Sequence, residues 1–147
     1  MHPDFLPTGR PTIAARRSYG ERAPEERLGI GIVGLHEGHT LLVALRASGL
    51  CRAVAGCDLD EGKREAARAA APGLFTTPDY DELLGREDVD IVAIYTPDAL
   101  HADQIECAFR AGKHVICTKP LINDAADIPR LLRAAEETGK RLQVGQS

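Results

Sequence analysis

From Leu28 onward, six short β-rich apolar runs alternate with helix-patterned segments, and this alternation restricts the fold more than any other feature of the chain. The first run, Leu28-Gly29-Ile30-Gly31-Ile32-Val33, has no polar side chain, as expected of a strand covered on both faces. A helix over His39–Ser48 follows, closed by Gly49, and then a strand over Arg52–Cys57 that ends at Asp58. Glu61–Ala71 reads as a helix stopped by Pro72-Gly73, Phe75–Thr77 as a short strand, and Asp79–Leu84 as a helix that Pro78 can start. The strand Asp90–Tyr95 runs into Thr96-Pro97, where proline ends the pairing.

A helix over Leu100–Ala111, a strand over His114–Cys117, a helix over Asp124–Thr138 and a strand over Arg141–Val144 complete the series. In the last helix Ile128, Leu131, Leu132 and Ala135 are expected on one core-facing stripe, with Gly139 as the stop. Strands separated by helices pair in parallel through right-handed crossovers. The expected fold is therefore α/β: a doubly wound parallel sheet of the Rossmann type, in a single domain over residues 28–147. Residues 1–27, with Pro3, Pro7, Pro11 and Pro24 and no apolar period, read as a flexible N-terminal extension.

Lys and Arg number 18 against 22 Asp and Glu, so no broad basic surface is available to nucleic acid or anionic lipid. No run approaches the roughly 18 apolar residues of a membrane span. Arg16-Arg17 is followed by polar Ser18-Tyr19-Gly20-Glu21-Arg22 and not by the apolar segment of an export signal, so a cytoplasmic protein is expected. Cys51, Cys57, Cys107 and Cys117 show no C-x-x-C spacing and read as buried, reduced thiols.

Ligands of such sheets bind at the carboxyl ends of the strands. Gly34-Leu35-His36-Glu37-Gly38-His39 fills the first strand-to-helix turn, where backbone N–H groups can hold a pyrophosphate. Against G-x-G-x-x-G, Gly34 matches the first glycine, His36 and His39 replace the other two, and Gly38 lies one place early. Any tight strand-to-helix turn is the plainer reading of the same residues.

Asp58 closes the second strand 24 residues after Gly34, where a carboxylate can accept both hydroxyls of an adenine ribose. That arrangement favours NAD over NADP; Asp60 adds to the bias, and Lys63 or Arg64 opposes it. A solvated loop acid or helix cap is the alternative for Asp58. Lys119, at another strand end and beside Pro120, is the candidate for direct chemistry: a cation there can stabilise negative charge developing during hydride transfer. Alone, it equally fits a solvated surface lysine. His101 opens a helix after Thr96-Pro97 and is read either as a neighbour of the cofactor or as a polar residue of the helix start. His36 and His39 stand three apart, not the four of H-E-x-x-H, and no metal site is assigned.

Two longer segments are more specific. Thr96-Pro97-Asp98-Ala99-Leu100-His101 is similar to T-P-N-x-x-H, and Ala111-Gly112-Lys113-His114-Val115-Ile116-Cys117-Thr118-Lys119-Pro120 to A-G-K-H-V-x-x-E-K-P. Both are patterns of the Gfo/Idh/MocA oxidoreductases, the glucose-fructose oxidoreductase and inositol dehydrogenase family, whose N-terminal domain the chain resembles from Leu28 to its end. The resemblance implies NAD, or NADP, at Gly34, Asp58, Thr96, Pro97 and Lys119. Thr118 stands where the family usually has Glu, and His36 where it has Gly.

The family continues into a second α/β domain that binds substrate and supplies a histidine, and the sequence carries no counterpart. The expectation is thus the NAD(P)-binding domain of an oxidoreductase acting on a CH–OH group of a sugar or cyclitol, truncated and inactive alone. The substrate would act as partner only with a second domain supplied. A non-catalytic nucleotide-binding or interaction module is the alternative.

Overall fold

The computed structural model describes residues 22–145. Six strands form one parallel sheet in the order β3-β2-β1-β4-β5-β6, as expected of a Rossmann fold. They are β1 (Leu28–Val33), β2 (Cys51–Cys57), β3 (Phe75–Thr77), β4 (Ile91–Ile94), β5 (His114–Thr118) and β6 (Leu142–Gly145). The helices are α1 (His39–Leu45), α2 (Glu61–Ala70), α3 (Tyr80–Leu84), α4 (His101–Arg110) and α5 (Ile128–Thr138). Short 3-10 turns precede α4, at Asp98–Leu100, and α5, at Ala125–Asp127.

The chain starts at the middle of the sheet and builds outwards twice. β1 pairs with β2 on one side, Ile32 opposite Gly56, and with β4 on the other, Ile32 opposite Ala93. The direction of winding therefore reverses between β1 and β4, and the crevice this leaves lies at their carboxyl ends. Gly34, Asp58, Thr96 and Thr118 end or follow their strands on that one edge.

Local chemistry fixes the helix starts. The Asp60 carboxylate accepts from the Lys63 amide ahead of α2, and that of Asp79 from the Asp81 and Glu82 amides ahead of α3. Gly139, at φ 67°, ends α5. Helix α1 stops at Leu45 and not at Ser48, because residues 46–48 tighten into i→i+3 bonds (Arg46 N to Val43 O, Ala47 N to Ala44 O, Ser48 N to Leu45 O).

Strand alternation sends side chains to two cores. Ile30, Ile32 and Ala93 meet Leu42 and Ala67 of α1 and α2 on one face. Val92, Ile94, Val115 and Cys117 meet Ile105, Phe109, Leu131 and Ala134 of α4 and α5 on the other.

Three expectations need correcting. Helix α5 buries Leu131 and Ala134, whereas Ile128 and Leu132 are 45% and 58% exposed. The apolar stripe is wider than the contact, and the helix is rolled so that its 131–134–135 side meets the sheet. Residues 22–27, counted with the extension, belong to the fold: the Arg22 amide donates to Gly49 O and Pro24–Glu26 form a 3-10 turn. The rest of that extension, and residues 146 and 147, lie outside the described residues. Among the thiols, Cys57 and Cys117 are buried, but Cys107 is exposed and Cys51 half-buried; all four are free. Burial pushes the Cys57 thiol up to about 11 and the Cys117 thiol up to about 12.

Charged side chains lock α4 to α5. Arg130 reaches Asp103 at 2.6 Å, Glu106 at 2.7 Å and Asp127 at 2.9 Å, and Arg110 joins Glu106 at 2.8 Å to Glu137 at 3.3 Å. Hydrogen bonds from Arg130 and Arg110 hold the Glu106 carboxyl below its ordinary value. Asp88, beside Arg86, and Glu61, bonded by Arg68 and Arg64, are lowered likewise. A depressed carboxyl stabilises the fold above its unfolded value and loses that contribution as pH falls through its folded one. Thermal unfolding followed from pH 6 down to about 3 should therefore show a falling midpoint once pH drops below about 4.5. Glu106→Gln should flatten that slope, more visibly at low than at high salt.

Candidate functional site

Gly34 leaves β1 at φ 84°, in the left-handed region. A Cβ there would lie 2.6 Å from Tyr95 O, so only glycine lets the turn pass against the end of β4. Gly38 starts α1, where a Cβ would stand 2.4 Å from Ile32 Cγ2 and 2.7 Å from Gly34 O. It lets the helix lie on the strand, the task of the third glycine in the motif, at a spacing one residue shorter. Among the described residues, the amides of His36 and Glu37 between these glycines have no hydrogen-bond partner. They are donors left for a ligand, and both side chains are exposed.

Asp58 anchors the same turn from β2. One carboxylate oxygen accepts from the Leu35 amide at 2.9 Å, the other from the Asp60 amide at 3.0 Å. Asp58 is thus neither the solvated loop acid nor the helix cap of its plainer reading, the cap being Asp60; it braces two turns and lines the crevice. Each oxygen retains a lone pair for a hydroxyl. Lys63 Nζ stands 4.0 Å from Asp58 Oδ1. Arg64 is committed elsewhere, to the carbonyls of Asp58 and Leu59 and to the Glu61 carboxylate.

Two depressions flank the turn. One, of about 430 Å³, is lined by Gly34, His36, Asp58, Leu59, Pro97 and Leu100 among others. The other, of about 560 Å³, is lined by Glu37, Thr40, Leu41, Tyr95, Thr118 and Lys119. Glu37 and Tyr95 line both, so the two lie side by side along the strand ends as the two halves of a trough. Its first half offers a carboxylate and apolar walls, suited to a ribose and a flat base; its second offers an exposed ammonium.

The structure thus brings Gly34, His36, Glu37, Asp58, Thr96, Pro97 and Lys119 to one trough. Leu35 is buried beneath it and contributes its amide to Asp58. His101 is not on its wall: the ring is 1% exposed and bonded to main-chain carbonyls, so direct contact with a cofactor does not follow. Thr96 Oγ1 donates to Gln104 Oε1 at 2.5 Å. Tyr95, Leu59, Leu100 and Thr40 escaped the sequence reading; their one signal is position, next to a strand end or in the first turn of α1. Among the described residues, no three His, Cys, Asp or Glu cluster closely enough to hold a metal ion.

Residues 28–146 match the Gfo/Idh/MocA family, described as an oxidoreductase family with an NAD-binding Rossmann fold. The chain belongs to that family. It is 37% identical over 120 residues to an inositol 2-dehydrogenase of Salmonella paratyphi B, covering 80% of this chain and 35% of the relative. Over 77 residues it is 54% identical to dTDP-3,4-didehydro-2,6-dideoxy-alpha-D-glucose 3-reductase of Streptomyces violaceoruber, covering 51% of this chain and 22% of the relative. A 3-ketoreductase from Actinomadura kijaniata, solved with NADP and TDP-benzene, superposes with a TM-score of 0.74 at 32% identity, covering 81% of this chain and 37% of that one. The apo scyllo-inositol dehydrogenase of Lactobacillus casei gives 0.75 at 25% identity, covering 82% and 37%. The chain thus spans little more than a third of its longer matches, and the part it spans is an NAD-binding Rossmann domain.

Replacing Gly34 by Ala should destabilise the fold by about 1–3 kcal/mol, from the left-handed backbone and the clash with Tyr95. Gly38→Ala should cost a similar amount through overpacking against Ile32. Chemical denaturation of both variants checks this, with Gly73→Ala as the reference: Gly73 also has positive φ, but open space around it, so it lacks the steric part.

Proposed function

We propose that the chain is the cofactor half of an oxidoreductase that acts on a CH–OH group of a sugar- or cyclitol-like substrate. The pair of adjoining depressions carries this reading: Asp58 in one, Lys119 in the other, and the glycine-bounded turn with its unbonded amides between them. Its residues fit a dinucleotide, with Asp58 accepting from the adenosine ribose, Leu59 and Leu100 flanking the base, and the His36 and Glu37 amides meeting the pyrophosphate.

When bound, the nicotinamide supplies or accepts the hydride. The chain's part at that end is Lys119, whose ammonium donates a hydrogen bond to the substrate oxygen and stabilises negative charge as it develops there. Relatives named for inositol and for a deoxyglucose derivative support the polyol or sugar class. Turnover on this reading requires further chain, since the match covers 35% of the first of these proteins and 22% of the second. The four free thiols suit a reducing, cytoplasmic setting.

Asp58 faces the ribose with negative charge, which favours NAD. Lys63, loosely paired with it at 4.0 Å, gives a 2′-phosphate a cation and keeps NADP acceptable.

Titration calorimetry of the chain with NAD and NADP separately tests the reading. NAD should bind saturably, and Asp58→Ala should weaken it about tenfold or more, the worth of a charge-assisted hydrogen bond. Lys63→Ala should weaken NADP and leave NAD within twofold. Absence of binding by a folded chain would sink the assignment and leave an interaction module that keeps the fold without the cofactor.

A further inference from the structure

Three polar or charged side chains are buried in the described fold: Arg64, Thr77 and His101. Arg64 braces the β2–α2 turn, and Thr77 accepts from the Asp79 amide at the start of α3. His101 belongs to neither kind of local brace, because its partners come from two different loops. Nε2 lies 2.8 Å from Thr96 O, in the loop after β4, and Nδ1 lies 2.9 Å from Pro120 O and 3.2 Å from Leu121 O, in the loop after β5. These two loops supply opposite halves of the trough: Thr96-Pro97 lines the half with Asp58, and Thr118-Lys119 the half with the ammonium.

Carbonyl oxygens only accept, so the imidazole acts here by donating. An Nε2–H serves the first loop, an Nδ1–H serves the second, and a ring carrying both serves both. One turn along the same helix, Gln104 takes the Thr96 hydroxyl at 2.5 Å and accepts from Tyr80 Oη through its main-chain carbonyl at 2.8 Å. The first turn of α4 therefore holds the backbone of one loop with either neutral tautomer, that of both when the ring carries both protons, and the Thr96 side chain through Gln104. Loops of this kind are otherwise held by few contacts, and a binding group must be kept within about 0.5 Å to be effective.

We propose that His101 is a positioning residue. It sets the separation of the Thr96-Pro97 loop from the Lys119-Pro120 loop, and so the place of the Lys119 ammonium relative to the adenosine end of the trough. The structural part of this inference is independent of the cofactor; its consequence for Lys119 rests on the function proposed above.

Variants separate a latch from mere space-filling, because an Asn side-chain amide places its nitrogen near the position of Nδ1, and a Gln amide near that of Nε2. Backbone ¹⁵N order parameters should fall in both loops in His101→Ala, from about 0.85 toward 0.6, with β1 and α5 unchanged. His101→Asn should restore order at Lys119 and Leu121 but not at Thr96 and Asp98, and His101→Gln the reverse. Loops that stay rigid in His101→Ala, a loss of order spread over the whole chain, or equal behaviour of Asn and Gln would overturn the proposal.

Calorimetry then reads the consequence. His101→Ala should weaken NAD by a larger factor than ADP-ribose, because only NAD reaches both loops, and adding Lys119→Ala to His101→Ala should cost no further NAD affinity. Additive losses would overturn the link to Lys119. A chain that binds neither ligand would refute the proposed function, while the order parameters would still decide the latch.

Discussion

The approach of Gly34 to Tyr95 O governs the rest of the site. With room for no side-chain carbon between them, β1 and β4 can lie side by side to their ends, and the first turn comes to rest on Tyr95, the residue that follows β4. The Tyr95 amide donates to Val33 O and the Gly34 amide to Cys57 O, so the ends of β2, β1 and β4 are tied in sequence. Because the winding reverses at this seam, nothing in the sheet closes over it. A trough at the seam is a consequence of topology; its depth and lining follow from two glycines and a tyrosine.

The Asp58 side chain has a structural role and, on the function proposed above, one in recognition as well. A carboxylate with two oxygens can bond the Leu35 and Asp60 amides and still offer lone pairs outward. Those inner bonds fix its orientation in advance, which lowers the ordering cost of meeting a ribose. Arg64, buried behind the turn, holds the carbonyls of Asp58 and Leu59, so the nearest guanidinium is withdrawn from the ligand side. Lys63 then stands as the cation beside Asp58.

The order of elements was legible because strand and helix periods differ, and the strand-end positions of Gly34, Asp58, Thr96 and Lys119 follow once parallel pairing is granted. Physical detail was less accessible. The apolar stripe of α5 spans more of the helix than the sheet covers, and only packing decides that Leu131 and Ala134 go inside while Ile128 and Leu132 do not. Gly38 looked displaced against a fixed motif, yet the contact it permits depends on where α1 meets Ile32 and not on a count of residues. His101 read either as a neighbour of the cofactor or as a polar helix start, since nothing local reveals that a loop 19 residues later brings its carbonyl to the ring. Tyr95 had the pattern of a strand-final core aromatic; its exposure to the trough comes from the turn left open above it.

Glu37 runs against the electrostatics of the site. Its exposed carboxylate lines both halves of the trough, beside amides that suit a diphosphate. A negative side chain close to a negative ligand weakens binding, by an amount that water and salt reduce when the group is exposed. His36 lies next to it in the same turn and Lys119 across the second half, so positive or neutral donors bracket the carboxylate. On the function proposed above, a carboxylate shared by the two halves acts on the Lys119 ammonium as well as on the phosphates of the cofactor, so the turn that replaces the second glycine of the motif brings charge to the trough as well as bulk.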